Sequence, residues 1–361
     1  MPETFRTMPA EAREFRCGQG RPCHLRSACS VATLLLVAGA ALTGPALARH
    51  KEPKGNAELH TPDQILKIME KSSLVYEIGV DNALRPPALE DPRVLSNRLL
   101  LRQDGENLDL VALSLSKEAG EILEAGEDAY NKKDYDLALE RYDKVLEMEP
   151  GFVHALTLIG DVHYARGEYE QARDFFQKAI DRNFADYDAH WFLADTLWRL
   201  GDKGQAIEQI TIAHLLNVNH ETLRKALLQL RDQIGRPWRD WDYAPRFSLG
   251  RDGKKVKVTA HEDWLGYAIV KAVWAYEPGY AEGMAGPDYS KNVITMEEEK
   301  EALLAVLNTP KAPQQLARIV DDGFVNEFLY YEVLARRAPA TIVLLPRELF
   351  MRLVQYVNTY H

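Results

Sequence analysis

A block of this sequence repeats at a fixed interval of 34 residues, three times and without an insertion. At that interval Gly126, Gly160 and Ala194 fall in register, as do Ala138, Ala172 and Ala206, and then Tyr142, Phe176 and Ile210. A constant period of this length implies paired helices that stack pair upon pair, because one pair alone cannot bury its apolar face. The small residues sit where two helices must approach closely; larger side chains there would hold the axes apart and waste buried area. A stack of this kind presents a surface to a partner more readily than it assembles a reaction centre.

Each unit reads as two amphipathic helices with a break between them. Lys133-Asp134, Gly167-Glu168 and Gly201-Asp202 occupy equivalent breaks, and Gly167 and Gly201 suit a helix C-terminus. Pro150 stops the first unit. After the third unit, Glu221 to Gln233 predicts one more helix, with Leu223, Leu227, Leu230 and Ile234 along one side and Arg224, Lys225 and Arg231 away from it. Such a helix seals the open end of a stack. The repeat region with this cap is expected over residues 117–235.

The unit resembles the tetratricopeptide repeat, and Lys133-Asp134-Tyr135-Asp136-Leu137-Ala138-Leu139-Glu140-Arg141-Tyr142 is close to that family's second-helix signature. Two features depart from it. Ile122, Leu156 and His190 replace the usual aromatic at the fourth position, and Phe184 and Val218 replace the terminal proline in units two and three. The resemblance implies a three-unit helical solenoid whose first helices line a concave groove. It also implies which residues face that groove. Position nine is Glu127, Asp161 and Asp195; position twelve is Tyr130, Tyr164 and Trp198; positions two and five add His154, Asp188 and Trp191. Carboxylates beside rings suit a protein or peptide partner that is basic or anchored by aromatic residues, since charge steers and rings supply buried area. The alternative is that the acids are solvated and the rings pack between units. A Lys/Asn clamp for a partner's C-terminal carboxylate is missing, because no Lys or Arg occupies position five or nine.

The flanks differ from the repeats. Arg6, Arg13, Arg16, Arg21 and Arg26 precede an apolar run from Val31 to Ala48 that ends Gly44-Pro45-Ala46-Leu47-Ala48. That order predicts a signal peptide over residues 1–48 and a periplasmic or secreted destination. All three cysteines lie in this leader, so the mature chain is expected to have no thiol, disulfide or cysteine metal site. Cleavage would remove five Arg and three Glu, two net positive charges from a formal charge of −10. The acidic balance argues against nucleic acid and against an anionic membrane surface as the main partner. No spanning segment is expected in the mature chain.

Residues 49–116 read as a small α+β extension. Thr61-Pro62-Asp63-Gln64 has the cap, the proline and the glutamine of a helix start. Asp104-Gly105 is a turn between strands Leu99 to Arg102 and Leu108 to Leu113. Residues 236–361 read as a smaller α+β domain. It has a hairpin across Arg251-Asp252-Gly253, a helix from about Glu262 to Tyr276, helices over 297–307, 313–320 and 324–336, a buried strand over Thr341 to Leu345 and a last helix over 348–357. The fold class is therefore mainly α: a three-unit solenoid with its capping helix, followed by the α+β part.

Little here points to catalysis. His261-Glu262-Asp263 lacks the second histidine of a zinc-binding helix, and its acids suit a helix start. No G-x-S-x-G elbow occurs. No metal or cofactor is expected. The competing expectation is an enzyme acting on an envelope polymer through paired carboxylates of the last domain. The aromatic load there (Trp238, Trp241, Trp264, Trp274) reads as core packing.

Overall fold

The protein is described by a computed structural model covering residues 58–86, 93–105, 107–240, 243–286, 295–307 and 314–361. The expected signal peptide lies outside these residues. Ala48–His361 forms one compact unit.

Three helix pairs follow the 34-residue register. They are Lys117–Asn131 (α2) with Tyr135–Met148 (α3), His154–Arg166 (α4) with Tyr169–Arg182 (α5), and Tyr187–Leu200 (α6) with Lys203–Leu216 (α7). Helix Glu221–Gln233 (α8) follows and packs on α7. In units one and two the glycine of the first helix meets an aromatic ring of the second. A Cβ placed on Gly126 would lie 2.7 Å from the Tyr142 ring, and one on Gly160 would lie 2.7 Å from the Phe176 ring. Ala138, Ala172 and Ala206 are fully buried at these contacts. Gly167 and Gly201 end the first helices of units two and three in the left-handed region, where glycine avoids a Cβ clash. In unit one Lys133, in register with these glycines, adopts the positive φ at the equivalent break.

Before the repeats, helix Pro62–Lys71 (α1) opens with the expected capping box, Thr61 and Gln64 each accepting the other's backbone N–H. Strands Leu99–Asp104 (β2) and Asn107–Ala112 (β3) pair antiparallel as the turn signal predicts. Strand Val75–Val80 (β1) has no counterpart among the expected elements.

After the repeats, Phe247–Asp252 (β4) and Lys255–Ala260 (β5) form the expected hairpin. β1 then pairs parallel with β5, Val75 opposite Lys255 and Val80 opposite Ala260, giving the order β1-β5-β4. The segment preceding the repeats thus contributes a strand to the sheet that follows them. Along β5 the lysines 255 and 257 are exposed while Val256, Val258 and Ala260 are buried, the period-2 pattern of a sheet with one covered face. The cover is helix Leu265–Tyr276 (α9), through Ala268 and Ala272. Each buried valine contributes roughly 1.5–3 kcal/mol relative to exposure.

Short helix Tyr280–Ala285 (α10) is followed by Met296–Leu307 (α11), Gln314–Asp321 (α12) and Val325–Phe328 (α13), which winds on as a π-helical segment over Leu329–Ala335. The expected strand over Thr341 to Leu345 is instead helical: Pro339–Val343 (α14) is a short helix with Pro339 in its first turn. The last helix, Arg347–Tyr360 (α15), is longer than predicted. Helices α14 and α15 pack on α7. Phe350 meets the Phe184 ring edge-on at 5.1 Å, and the Tyr331 hydroxyl lies 2.8 Å from His214 Nε2. This docking explains why α7 is buried from Ile210 through Leu216, on both faces.

Candidate functional site

The first helices α2, α4 and α6 place Glu127, Asp161 and Asp195 at equivalent positions, one carboxylate per unit. Glu127 and Asp195 are half-buried, whereas Asp161 is only 4% exposed. Asp195 joins a small group that crosses between units. Arg199 Nε donates to the Tyr164 hydroxyl at 3.4 Å. Burial, and then the Asp195 carboxylate, push that hydroxyl above its ordinary pKa, while Arg199 pulls the other way. Position thirteen of unit three therefore sets a guanidinium beside the acid row.

The rings at position twelve have a repeated packing role. Tyr130 meets Tyr135 edge-on at 5.8 Å, and Tyr164 meets Tyr169 edge-on at 5.4 Å. Trp198 takes the same place in unit three, where Lys203 Nζ lies 5.2 Å from its ring centroid. In each case the partner is five residues on, at the start of the second helix. The rings seal the break between the two helices of their own unit, and edge-to-face aromatic pairs add about 0.5–1.5 kcal/mol beyond their area.

Positions two and five are tied into the protein. His154 is buried, with Nδ1 at 2.8 Å from Asp186 Oδ2; the Thr157 hydroxyl donates to the same oxygen at 2.8 Å. Asp186 Oδ1 accepts from Ala189 N at 3.1 Å and so caps α6. Burial would raise the Asp186 carboxyl, but His154 and these donors hold it below its ordinary value. Asp188 accepts from Asn97 Nδ2 at 2.9 Å. One ring nitrogen and two carboxylates of His154, Asp186 and Asp188 lie within 4.8 Å of one another. They could hold a cation only by giving up these bonds. Trp191 is buried beside Phe192 and His220, and its Nε1 finds no acceptor among the described residues.

Sequence reasoning missed a second ladder at the same period. Asn183 and Asn217 follow the second helices of units two and three. Asn183 Nδ2 donates to the Leu99 carbonyl at 2.7 Å, and its Oδ1 accepts from Leu101 N at 3.1 Å. Asn217 does the same for Leu95 alone, at 2.9 and 3.0 Å. Both asparagines have φ near −150°, so neither is there to supply a left-handed cap. Their amides hold an extended backbone. In unit one the equivalent residue is Glu149, which accepts from Ser116 N at 3.4 Å. The signal was available: 149, 183 and 217 are 34 apart.

In the C-terminal part the acids of α11 are bonded inward. Glu299 accepts from the Tyr267 hydroxyl at 2.6 Å and from Lys271 Nζ at 2.8 Å; Lys271 also pairs with Glu298. Glu301 accepts from Trp274 Nε1 at 2.6 Å and from the Tyr280 hydroxyl and His60 N. Burial raises the Glu298 carboxyl, with Lys271 opposing. These carboxylates tie α9, α10 and the segment before α1 together. His261 accepts from Asp263 N at 3.3 Å and so caps the turn that leads into α9.

Among the described residues no helix is long and apolar enough to cross a membrane. Residues 123–187 match the family model described as tetratricopeptide repeat. Over 92 residues the chain is 30% identical to anaphase-promoting complex subunit 3 of Schizosaccharomyces pombe, covering 26% of this chain and 14% of that protein. Over 113 residues it is 31% identical to Hsp70-Hsp90 organizing protein 1 of Glycine max, covering 28% and 20%. The chain thus spans a fifth or less of the length of these curated relatives. A solved structure of the Yersinia enterocolitica type III secretion chaperone SycD, in complex with a peptide of the translocator YopD, is similar at 13% identity. That match covers 34% of this chain and 92% of the chaperone, with a TM-score of 0.31. The repeat block is similar to the tetratricopeptide repeat family in sequence over residues 123–187 and in its layout of paired helices.

Proposed function

We propose that this chain is a non-catalytic adaptor of the cell envelope. Its three stacked helix pairs form a solenoid that holds a segment of another protein along the first helices. The observation that carries this reading is the carboxylate at position nine of three successive units, Glu127, Asp161 and Asp195. A row of acids at a constant interval favours a basic segment, because like-signed groups 34 residues apart reinforce one potential along the stack. The curated relatives support it in kind, since the organizing protein is named for work on other proteins. The export of the chain rests on the leader pattern of residues 1–48.

Residues 93–101 of the chain lie along the ends of the second helices and reach α6 through Asn97 and Asp188, and the proposed partner lies along the rest of α2, α4 and α6. Charge reversal at the two half-buried acids, Glu127→Lys with Asp195→Lys, is expected to reduce capture of the partner from an envelope extract by about tenfold or more. Helix content by circular dichroism should stay at the wild-type value. Asp161 is left unchanged because reversal at so buried a site would test folding. Capture at the wild-type level by the double variant would remove the acid row from the interaction.

A further inference from the structure

Several of the described buried charged groups sit in ion pairs, and one cation among them does not. Lys271 lies between Glu298 and Glu299, Arg352 meets Glu327 at 2.7 Å and His154 meets Asp186. Arg231 of α8 is 4% exposed and has no carboxylate partner among the described residues. Its Nη1 donates to Asn358 Oδ1 at 3.2 Å, and its guanidinium lies 5.5 Å from the Trp238 ring centroid. Its Nε, shut off from solvent, has no hydrogen-bond partner. Arg236, another cation, adds to the effect of burial in lowering the Arg231 pKa, with Tyr331 opposing. A guanidinium buried without a counter-charge costs several kcal/mol, and one amide oxygen with one ring face offsets only part of that.

The exception is placed where a ligand could relieve it. Arg231 lines a cleft of about 580 Å³ between α7, α8 and α15, a volume within the range of small-molecule sites. Lys203 and Arg236 also line it, and neither has an ion pair among the described residues. Lys203 and Gly204 are the first residues of α7, whose N-terminus the Asp202 carboxylate caps. Against these cations the lining has one acid, the exposed Glu208. Ile207, Ile234 and Val354 supply apolar wall. A concentration of positive charge in a chain of net charge −10 is a local choice and does not reflect composition.

We infer that this cleft binds a small organic oxyanion, a phosphate monoester or a carboxylate with an apolar body. Arg231 pairs with the anionic group through its free donors; Lys203 and Arg236 hold the rim. A guanidinium fork matches both anions in a bidentate manner, and the apolar wall takes the remainder. The site joins α7 and α8 to the C-terminal helix, so its occupancy bears on how firmly the C-terminal part is docked.

The test uses the full chain at pH 7 with four probes: hexyl phosphate, hexanoate, inorganic phosphate and neutral hexanol. Binding is read from the melting temperature and from Trp238 fluorescence under the guanidinium. A saturable response to hexyl phosphate or to hexanoate, with none to hexanol, is expected, and which of the two binds tighter identifies the head group. Inorganic phosphate should bind more weakly than either. Arg231→Met should weaken binding by about tenfold or more, the scale of a lost charge-assisted hydrogen bond. Should that variant fail to fold, Lys203→Ala with Arg236→Ala, at two exposed positions, should weaken binding several-fold and flatten its salt dependence. No saturable response to either organic anion would overturn the inference. So would equal affinity in the folded Arg231→Met chain, or in the rim variant.

Discussion

At Gly126 and Gly160 the missing side chain is what allows Tyr142 and Phe176 to lie against the first helix of their own units. The Phe176 ring is fully buried and cannot retreat. Gly160→Ala is therefore expected to cost about 1–3 kcal/mol, although alanine alone would favour the helix by about 1 kcal/mol. The urea midpoint measures it; a stabilised variant would show that the ring has room to move. His190 illustrates a different residue-scale choice. It stands where the family usually has an aromatic, with Nε2 at 3.2 Å from the Phe184 carbonyl and Nδ1 at 2.7 Å from Gln209 Oε1. Burial drives its pKa down to about 4, and burial likewise drives His214 down to about 3. The unfolded chain takes up these protons near pH 6.5, while the native chain stays neutral. The stability they confer is complete above pH 6.5 and is lost as pH falls toward 4. By pH 4.5 the His190 share of that loss is about 2–3 kcal/mol. His190→Gln should flatten this part of the stability profile; an unchanged slope between pH 6.5 and 4.5 would contradict the assignment.

At the scale of elements, the asparagine ladder holds a strand that no helix-pair signature announces. Asn183→Ala and Asn217→Ala each remove two hydrogen bonds to the segment 95–101 and leave backbone groups unpaired. Each should cost about 1–3 kcal/mol and speed amide exchange at Leu101 or Leu95 respectively. Unaltered exchange at those amides would mean the strand is held by other contacts. The helix pairs, the Thr61 cap and both hairpins were legible in the sequence because each rests on local chemistry: a period, a capping box, a turn. β1 was not. It is an edge strand with Val75, Ile78 and Val80 all exposed, so neither face shows alternation. The run Thr341 to Leu345 misled for the opposite reason. A short apolar stretch rich in β-branched residues reads as a buried strand, and periodicity cannot separate it from a buried helix. Pro339 in the first turn and Pro346 after the end were the better guide. At the candidate site, spacing located the acids and rings but not their neighbours. That Tyr130 and Tyr164 spend their rings on Tyr135 and Tyr169 depends on side-chain direction at the helix break, which spacing does not specify.

For the whole molecule, the third helix pair is shared property. One face of α7 closes its own unit and the other receives α14 and α15, while β1 carries the segment before the repeats into the sheet beyond them. The segment before the repeats and the helices after them both bear on the stack, and the proposed function falls to the first-helix face. The claim on which the account depends is that a partner lies against that face. Photo-crosslinking from benzoylphenylalanine at residue 127 or at residue 195, compared with residue 173 on the exposed side of α5, tests it directly. The account predicts one common adduct from both first-helix positions, reduced in chains carrying the charge reversal at the other acid, and none from residue 173. Adducts from residue 173 alone, or of equal yield from all three positions, would contradict it.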